Sequence, residues 1–291
     1  MIAVRLMGGL GNQLFQYAAG RRLALLHDCL LVLDLGWFDR VPAGDTARRF
    51  ELAPLAIEAR PASKRQVATT LGRWRLTRLF ARAQASKPWY ARRAVFERLP
   101  FATDPDFERI TPPAHLTGYW QSPGYCEPIR DQLLREIVPR SQLSENAKAI
   151  ASRIESAASA AIHVRRGDYA HNPRVRSFHG LCSPAYYRAA VRELSERVAP
   201  SSWFVFSDDP EWCRENLDLG IELEVVSGNP SYEDLYLMSQ CSHHVLANSS
   251  FSWWGAWLCT RPGQVVVAPR RWVRDPSLEG RSPALPSWIL L

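Results

Sequence analysis

From residue 145 to residue 268 the chain alternates short apolar runs with helical patterns, and that alternation constrains its fold more than any other feature. Residues 145–158 read as a helix capped by Ser144. A strand at 160–165 follows, then a helix at 184–199 with Pro184 in its first turn. The strand 203–206 leads to a short helix, 211–217, and a strand, 221–226. Helix 232–241 carries Ser231 as cap with Asp234 three residues on. Strand 244–247, turn 248–252, helix 253–260 and strand 264–268 close the series. Strands separated by helices imply a parallel sheet covered on both faces. Ligands of such sheets bind beyond the carboxyl ends of the strands.

Three polar clusters fall at those ends: Arg165–Asp168, Ser207–Asp209 and Asn248–Ser252. Topology therefore gathers them on one sheet edge. Along strand 160–165 side chains alternate, so His163 and Arg165 face one way and Val164 the other. Arg165 and Arg166 suit an anion, because a guanidinium fork matches phosphate or carboxylate oxygens. A solvated turn with an internal Arg–Asp pair is the competing reading. The turn Asn248-Ser249-Ser250-Phe251-Ser252, opening a helix, offers N–H and hydroxyl donors to phosphate. Asp208 is either an acceptor for the paired donors of guanine or a helix cap. Asp168 is the sole carboxylate between Ala161 and Glu193, with Tyr169, His171 and His179 as other proton acceptors in the loop. The edge carries no cysteine–histidine metal set, no P-loop and no nucleophile elbow.

The N-terminus opens as strand Ile2–Met7, a glycine-rich turn Gly8–Gln13, a helix to Leu26 and a second strand, Cys29–Asp34. This imitates a dinucleotide-binding fold, but counting from Gly9 the third glycine position is Leu14. A tight connection without a ligand would spell the same turn; Asn12 and Gln13 are unusual residues for that role. Residues 36–115 are broken by repeated prolines. Asp104-Pro105-Asp106 reads as a turn rather than a metal motif. His115–Ser122 reads as a strand entering an aromatic loop, where Trp120 suits either sugar stacking or the core. Tryptophans 37, 74 and 89 pose the same choice.

The formal charge of +7 favours anionic partners without choosing among them. Its densest part is residues 60–98, where Arg60, Lys64, Arg65, Arg73, Arg75, Arg78, Arg82, Lys87, Arg92, Arg93 and Arg98 are interleaved with Leu71, Trp74, Leu76, Leu79 and Phe80. That stretch reads as an amphipathic helix with either a solvated face or a membrane-surface patch. The surplus is not gathered into a basic arm, which argues against nucleic acid. Six cysteines without a Cys-x-x-Cys pair suit reduced thiols in a cytoplasmic protein. With no signal segment and no spanning run of about 20 apolar residues, the expected location is the cytoplasm, with peripheral contact to the inner membrane face left open.

Three long motifs, in order, carry a resemblance. They are Gly8-Gly9-Leu10-Gly11-Asn12-Gln13-Leu14-Phe15-Gln16-Tyr17-Ala18, His163-Val164-Arg165-Arg166-Gly167-Asp168-Tyr169 and Asn248-Ser249-Ser250-Phe251-Ser252-Trp253-Trp254-Gly255-Ala256. With Gly118–Ser122, His179-Gly180, Tyr186-Tyr187 and Phe206–Asp209, they resemble the bacterial α-1,2-fucosyltransferases of glycosyltransferase family 11. The likeness spans nearly the whole chain except residues 36–110. It implies an α/β, GT-B-like fold: two Rossmann-like domains facing each other across a cleft, here 1–140 on the acceptor side and 141–291 for the nucleotide sugar. It implies a GDP-fucose donor, inversion, no metal or other cofactor, and a β-galactoside oligosaccharide or glycolipid-linked acceptor. By the same resemblance Arg165 holds the β-phosphate, and His163 and Asp208 sit at the guanosine. Asn248, Ser250 and Ser252, in the turn with Ser249 and Phe251, lie along the diphosphate. Gly11, Asn12 and Gln13 approach from the other domain. A related group of fucosyltransferases has a glutamate base shortly after the His-x-Arg-Arg run; this chain has none there, which leaves Asp168 as the acidic candidate beside Arg165. The alternatives are another GDP-hexose or acceptor, a Rossmann NAD-dependent oxidoreductase and a non-enzymatic glycan- or polyanion-binding protein.

Overall fold

The computed structural model describes residues 1–39, 46–72 and 83–291, without the side chains of Asp168, His171 and Arg174. Trp74, Arg73, Arg75, Arg78 and Arg82 lie outside those residues, as do Leu76, Leu79 and Phe80 of the expected amphipathic helix. The chain falls into two compact units, Met1–Val138 and Pro139–Leu291. No described helix is long and apolar enough to cross a membrane.

The first unit runs β1 (Ile2–Arg5), α1 (Leu10–Leu26), β2 (Leu31–Asp34), β3 (Arg60–Pro61), α2 (Lys64–Leu71), β4 (Ala94–Phe96), β5 (Ala114–Thr117), α3 (Pro123–Cys126) and α4 (Arg130–Glu136). Among the described residues its five strands are all parallel, in the order β3-β2-β1-β5-β4. Strand order reverses between β1 and β5, where an open parallel sheet leaves a crevice at its carboxyl edge. Two buried carboxylates organise this unit. Glu136 accepts from Tyr17 and from Arg21, at 2.6 Å from Nη2, and so ties α4 to α1. Asp34 ends β2 and joins three strands. It accepts from Arg5 Nε at 3.2 Å, His115 Nε2 at 2.9 Å and the Gly36 N–H at 3.0 Å. With those partners it is a structural carboxylate, unlike the ribose acceptor of a dinucleotide fold.

The second unit runs α5 (Glu145–Glu155), β6 (Ser159–Val164), α6 (Gly167–His171), α7 (Pro173–His179), α8 (Pro184–Val198), β7 (Ser202–Ser207), α9 (Pro210–Asn216), β8 (Glu224–Val225), α10 (Ser231–Gln240), β9 (His243–Val245), α11 (Ser250–Trp257), β10 (Val266–Ala268) and β11 (Ile289–Leu290). All six strands pair in parallel, in the order β11-β10-β9-β6-β7-β8. The central strand β6 is buried at every residue, as a strand covered on both faces must be. Its alternation divides the core. Ala160, Ile162 and Val164 pack with Tyr187, Ala190, Val191 and Leu194 of α8. Ala161 packs on the other side with Ala147, Ile150 and Ile154 of α5 and Leu237 and Met238 of α10.

Several boundaries differ from the sequence reading. Helix α11 starts at Ser250, three residues early, because Ser249 caps it by accepting the Phe251 N–H at 3.3 Å. At α10, Pro230 rather than Ser231 stands at the cap position and no side chain caps the helix. Glu233 of its first turn instead accepts from the Ser144 N–H at 2.8 Å and hydroxyl at 2.7 Å. The tryptophans Trp253, Trp254 and Trp257 are buried together, and Trp120 is 1% exposed against Phe107 and Tyr125. Trp37 and Trp89 are half-buried. Asp104-Pro105-Asp106 is a turn: Asp104 accepts the Asp106 N–H at 3.0 Å and pairs with Arg98.

Burial pushes the Asp34 carboxyl up, but the His115 hydrogen bond, the Gly36 N–H and the charges of His115 and Arg5 outweigh it and hold it at about 2. A depressed folded-state value stabilises above the unfolded value of about 4 and is lost as pH falls toward 2, by about 2 kcal/mol. Urea unfolding at about pH 5 and about pH 2.5 is expected to show that loss in the wild type and a shallower pH dependence in Asp34→Asn.

Candidate functional site at a strand-order reversal

In the second unit the strand order reverses between β6 and β9. The residues after β6 and after β9 therefore flank the crevice where such sheets take ligands. Arg165 follows β6 directly. Its Nη1 lies 2.9 Å from Asp208 Oδ2 and its guanidinium stands over Tyr169, 5.2 Å from the ring centre. The other oxygen of Asp208 accepts the Arg166 main-chain N–H at 2.8 Å. One carboxylate thus fixes both the backbone and a side chain of the loop. The register explains the pairing: Val164 is opposite Ser207, which sets Arg165 and Arg166 against Asp208 and Asp209.

Gly167 makes this approach possible. A Cβ there would fall 2.2 Å from Asp208 Oδ2, closer than any real contact. Arg166 turns the other way. Its Nε lies 3.2 Å from Asp209 Oδ2 and its guanidinium stacks 3.7 Å over the ring of Trp212. Asp209, not Asp208, caps α9 by accepting the Trp212 N–H at 3.3 Å.

His163 is 3% exposed, its Nδ1 is buried without a hydrogen-bond partner among the described residues, and its ring lies 5.4 Å from that of Phe251. Burial, reinforced by the Arg165 charge, lowers it to about 3. The ring is neutral at physiological pH.

The serine turn is used differently from the sequence reading. Asn248 donates to the carbonyls of His179 at 2.8 Å and Trp272 at 3.2 Å, while its Oδ1 faces Cys182 Sγ at 3.6 Å. Its amide therefore clamps three segments rather than standing open to a phosphate. Ser252 is fully buried and donates to Ala247 and Ser249 carbonyls. Ser249 caps the helix. What this turn presents at the crevice is the N-terminal end of α11, with Ser250 and Phe251 in its first turn. Aligned peptide dipoles make such an end attractive to anions. Tyr169 completes the wall, stacked 4.5 Å from His179, its hydroxyl 3.4 Å from the Asn248 carbonyl. The Asp168 backbone lies in α6; its side chain is outside the described residues.

In the first unit the glycine turn follows β1 and Gly118–Ser122 follows β5, so both flank that sheet's own reversal. Asn12 Oδ1 accepts from Gln121 Nε2 at 2.6 Å across it. Gly8 has φ of +73°, and a Cβ on it would meet Asn12 Nδ2 at 2.5 Å. Gln13 is fully buried. It donates to the Gly8 and Arg49 carbonyls at 2.9 and 2.8 Å and accepts the Glu51 N–H at 2.9 Å. That amide anchors residues 49–51 to the turn rather than reaching a ligand. Gly11 is the second residue of α1, whose cap position is Gly9. Trp120 takes φ of +56° because Glu97 accepts the Tyr119 and Trp120 N–H groups at 2.7 and 3.0 Å. Trp212 and Gln13's clamp were missed by sequence reasoning; the register between β6 and β7 was the signal for the first, and a backbone clamp leaves none.

Two parallel-sheet α/β units in one chain make a GT-B-like fold. The whole-chain likeness to a solved NodZ alpha-1,6-fucosyltransferase, soaked with GDP-fucose, shows the same fold, with a TM-score of 0.52, 15% identity and 95% of each chain covered. The protein belongs to glycosyl transferase family 11, whose model matches residues 103–291. It is 31% identical over 296 residues to an alpha-1,2-colitosyltransferase of Escherichia coli, covering 99% of this chain and 98% of that one. An O-antigen biosynthesis glycosyltransferase, WbnK, from the same organism is also 31% identical, with 92% and 93% covered. A galactoside alpha-(1,2)-fucosyltransferase 2 of Oryctolagus cuniculus is 31% identical over 158 residues, 50% of this chain and 44% of that one.

Gly167→Ala is expected to destabilise the second unit by about 1–3 kcal/mol through overpacking against Asp208. In an Asp208→Ala background the same substitution should cost less. Equal losses in the two backgrounds, measured by chemical unfolding, would show that Asp208 is not what the glycine accommodates.

Proposed function

We propose that the protein is an inverting α-1,2-fucosyltransferase that moves L-fucose from GDP-β-L-fucose to the 2-hydroxyl of a terminal β-galactoside. The observation that carries this reading is the Arg165–Asp208–Arg166 arrangement at the strand-order reversal, beside the N-terminus of α11. In this reaction the acceptor oxygen forms a bond to the anomeric carbon as the bond from that carbon to the diphosphate oxygen breaks, and the acceptor proton is lost. Negative charge grows on the leaving diphosphate. Arg165 and the dipoles of α11 are the groups suited to stabilise it, and such preorganised electrostatics are commonly the largest catalytic contribution. With charge neutralised by the chain itself, the reaction needs no metal. Asp168 is the candidate to receive the proton.

The names of the relatives support 1,2-transfer to a galactoside and a donor carrying fucose or a close analogue. The colitosyltransferase supports a second reading, in which the sugar is colitose, the 3-deoxy analogue of fucose. Parallel assays with the two GDP-sugars and lactose as acceptor decide between them.

Arg165→Ala is expected to lower transfer by at least about 100-fold, in line with the ~2.7–4 kcal/mol lost with one transition-state donor. Calorimetry of GDP-fucose against wild type and variant tests the binding part. Retention of activity within about threefold would remove Arg165 from the role. Full activity in EDTA is the companion expectation; a strict requirement for Mn²⁺ would overturn the metal-free mechanism.

A further inference from the structure

Residues 60–96 contain ten lysines and arginines and no aspartate or glutamate. The asymmetry extends to the whole chain: Met1–Val138 has twenty basic and thirteen acidic residues, while Pro139–Leu291 has sixteen of each. The entire surplus of +7 therefore belongs to the first unit. A solvated face on an ordinary domain mixes both signs, since neighbouring like charges repel. An acid-free run of this length concentrates a positive potential instead.

The described parts of the run form a supported surface. Helix α2 begins with a reciprocal capping box between Ser63 and Gln66 and buries only Thr70. Lys64 and Arg65 are exposed on it, and Arg60 is exposed in β3 at the sheet edge. Arg93 donates to the Thr69 carbonyl at 3.0 Å and so joins the end of α2 to the segment leading into β4. Arg92 donates to the carbonyls of Lys87 and Ala85, each at 3.0 Å. These bonds orient the guanidinium groups without neutralising them, because carbonyls carry no net charge. None of Arg60, Lys64, Arg65, Lys87, Arg92 and Arg93 has a carboxylate of the described residues within ion-pair distance. Phe96, on β4 at the opposite edge of the sheet from Arg60 and following the segment that Arg93 ties to α2, is 58% exposed.

We propose that this face of the first unit docks on an anionic lipid surface. The partner's class follows from the chemistry: dispersed cations take phosphate headgroups, and an exposed phenylalanine takes the boundary with the acyl chains. The proposal does not rest on the transferase reading.

The test is co-sedimentation of the full chain with vesicles of phosphatidylcholine alone or with about 30% phosphatidylglycerol, at about 0.1 and 0.5 M NaCl. Binding is expected to the anionic vesicles only and to weaken in high salt. Replacing Arg60, Lys64, Arg65 and Lys87 by Gln should lower affinity for anionic vesicles by roughly 100-fold. Replacing Lys148, Arg188, Arg192 and Arg281 of the second unit by Gln, an equal loss of net charge, should leave it within about threefold. Circular dichroism confirms that both variants fold. No binding by wild type, equal binding to neutral vesicles, or equal loss in both variants overturns the proposal. So does displacement from vesicles by a stoichiometric duplex oligonucleotide, which would make the face a nucleic-acid surface.

Discussion

Asp208 is the point on which the second unit's site depends. A single carboxylate accepts one hydrogen bond from a guanidinium and another from the next residue's backbone, and so fixes where the loop after β6 goes. Charge-assisted bonds of this kind are stronger than neutral ones, and they are directional. The loop in turn holds the Arg165 guanidinium between Asp208 and the Tyr169 ring, beyond the end of β6. Arg166, one residue on, is held by a separate acid and an indole. The two arginines thus have separate anchors, although they are adjacent in sequence. Removing the shared carboxylate would release the loop's backbone as well as one cation, which is why a residue on the neighbouring strand's end governs the crevice.

The first unit is built around the same kind of device in a different place. Its buried acids are paired before any ligand arrives: Asp34 with Arg5, His115 and a backbone N–H, Glu136 with Arg21 and Tyr17. Breaking such a pair by removing one partner leaves a buried charge behind, which is the costly way to lose it. These acids serve the architecture. They also make the N-terminal strand, glycine turn and acidic second strand a poor match to a dinucleotide site, despite their similar spelling.

The layer architecture was legible because the continuous apolar runs of β6 and β7 are bounded by helices with clear period and caps. From it the sheet edge followed, and with it the meeting of Arg165, Asp208 and the Asn248–Ser252 turn. What was not legible was the direction of polar side chains. Asn248, Ser252 and Gln13 are donors and acceptors at the right addresses, yet Ser252 and Gln13 bond main-chain groups and Asn248 bonds two carbonyls and the Cys182 thiol. An amide serves a carbonyl as readily as a phosphate, and only the packed surroundings decide. The misplaced start of α11 has a related cause. Asn-Ser-Ser favours turns when read locally, whereas here the middle serine ends the turn and caps the helix. Ser231 is not the cap because the helix already includes it: the Pro230 carbonyl accepts the Glu233 and Asp234 N–H groups, and the Asp234 carboxylate accepts from Asn229.

The neutral, buried His163 has a consequence for how the crevice responds to its surroundings. A histidine is the side chain that ordinarily makes a site sensitive to small changes in acidity. Here burial and the neighbouring guanidinium remove that sensitivity, leaving an uncharged aromatic plate whose proton inventory is constant from mildly acidic to alkaline conditions. Hydrogen bonding at this position stays the same while the cell's acidity drifts.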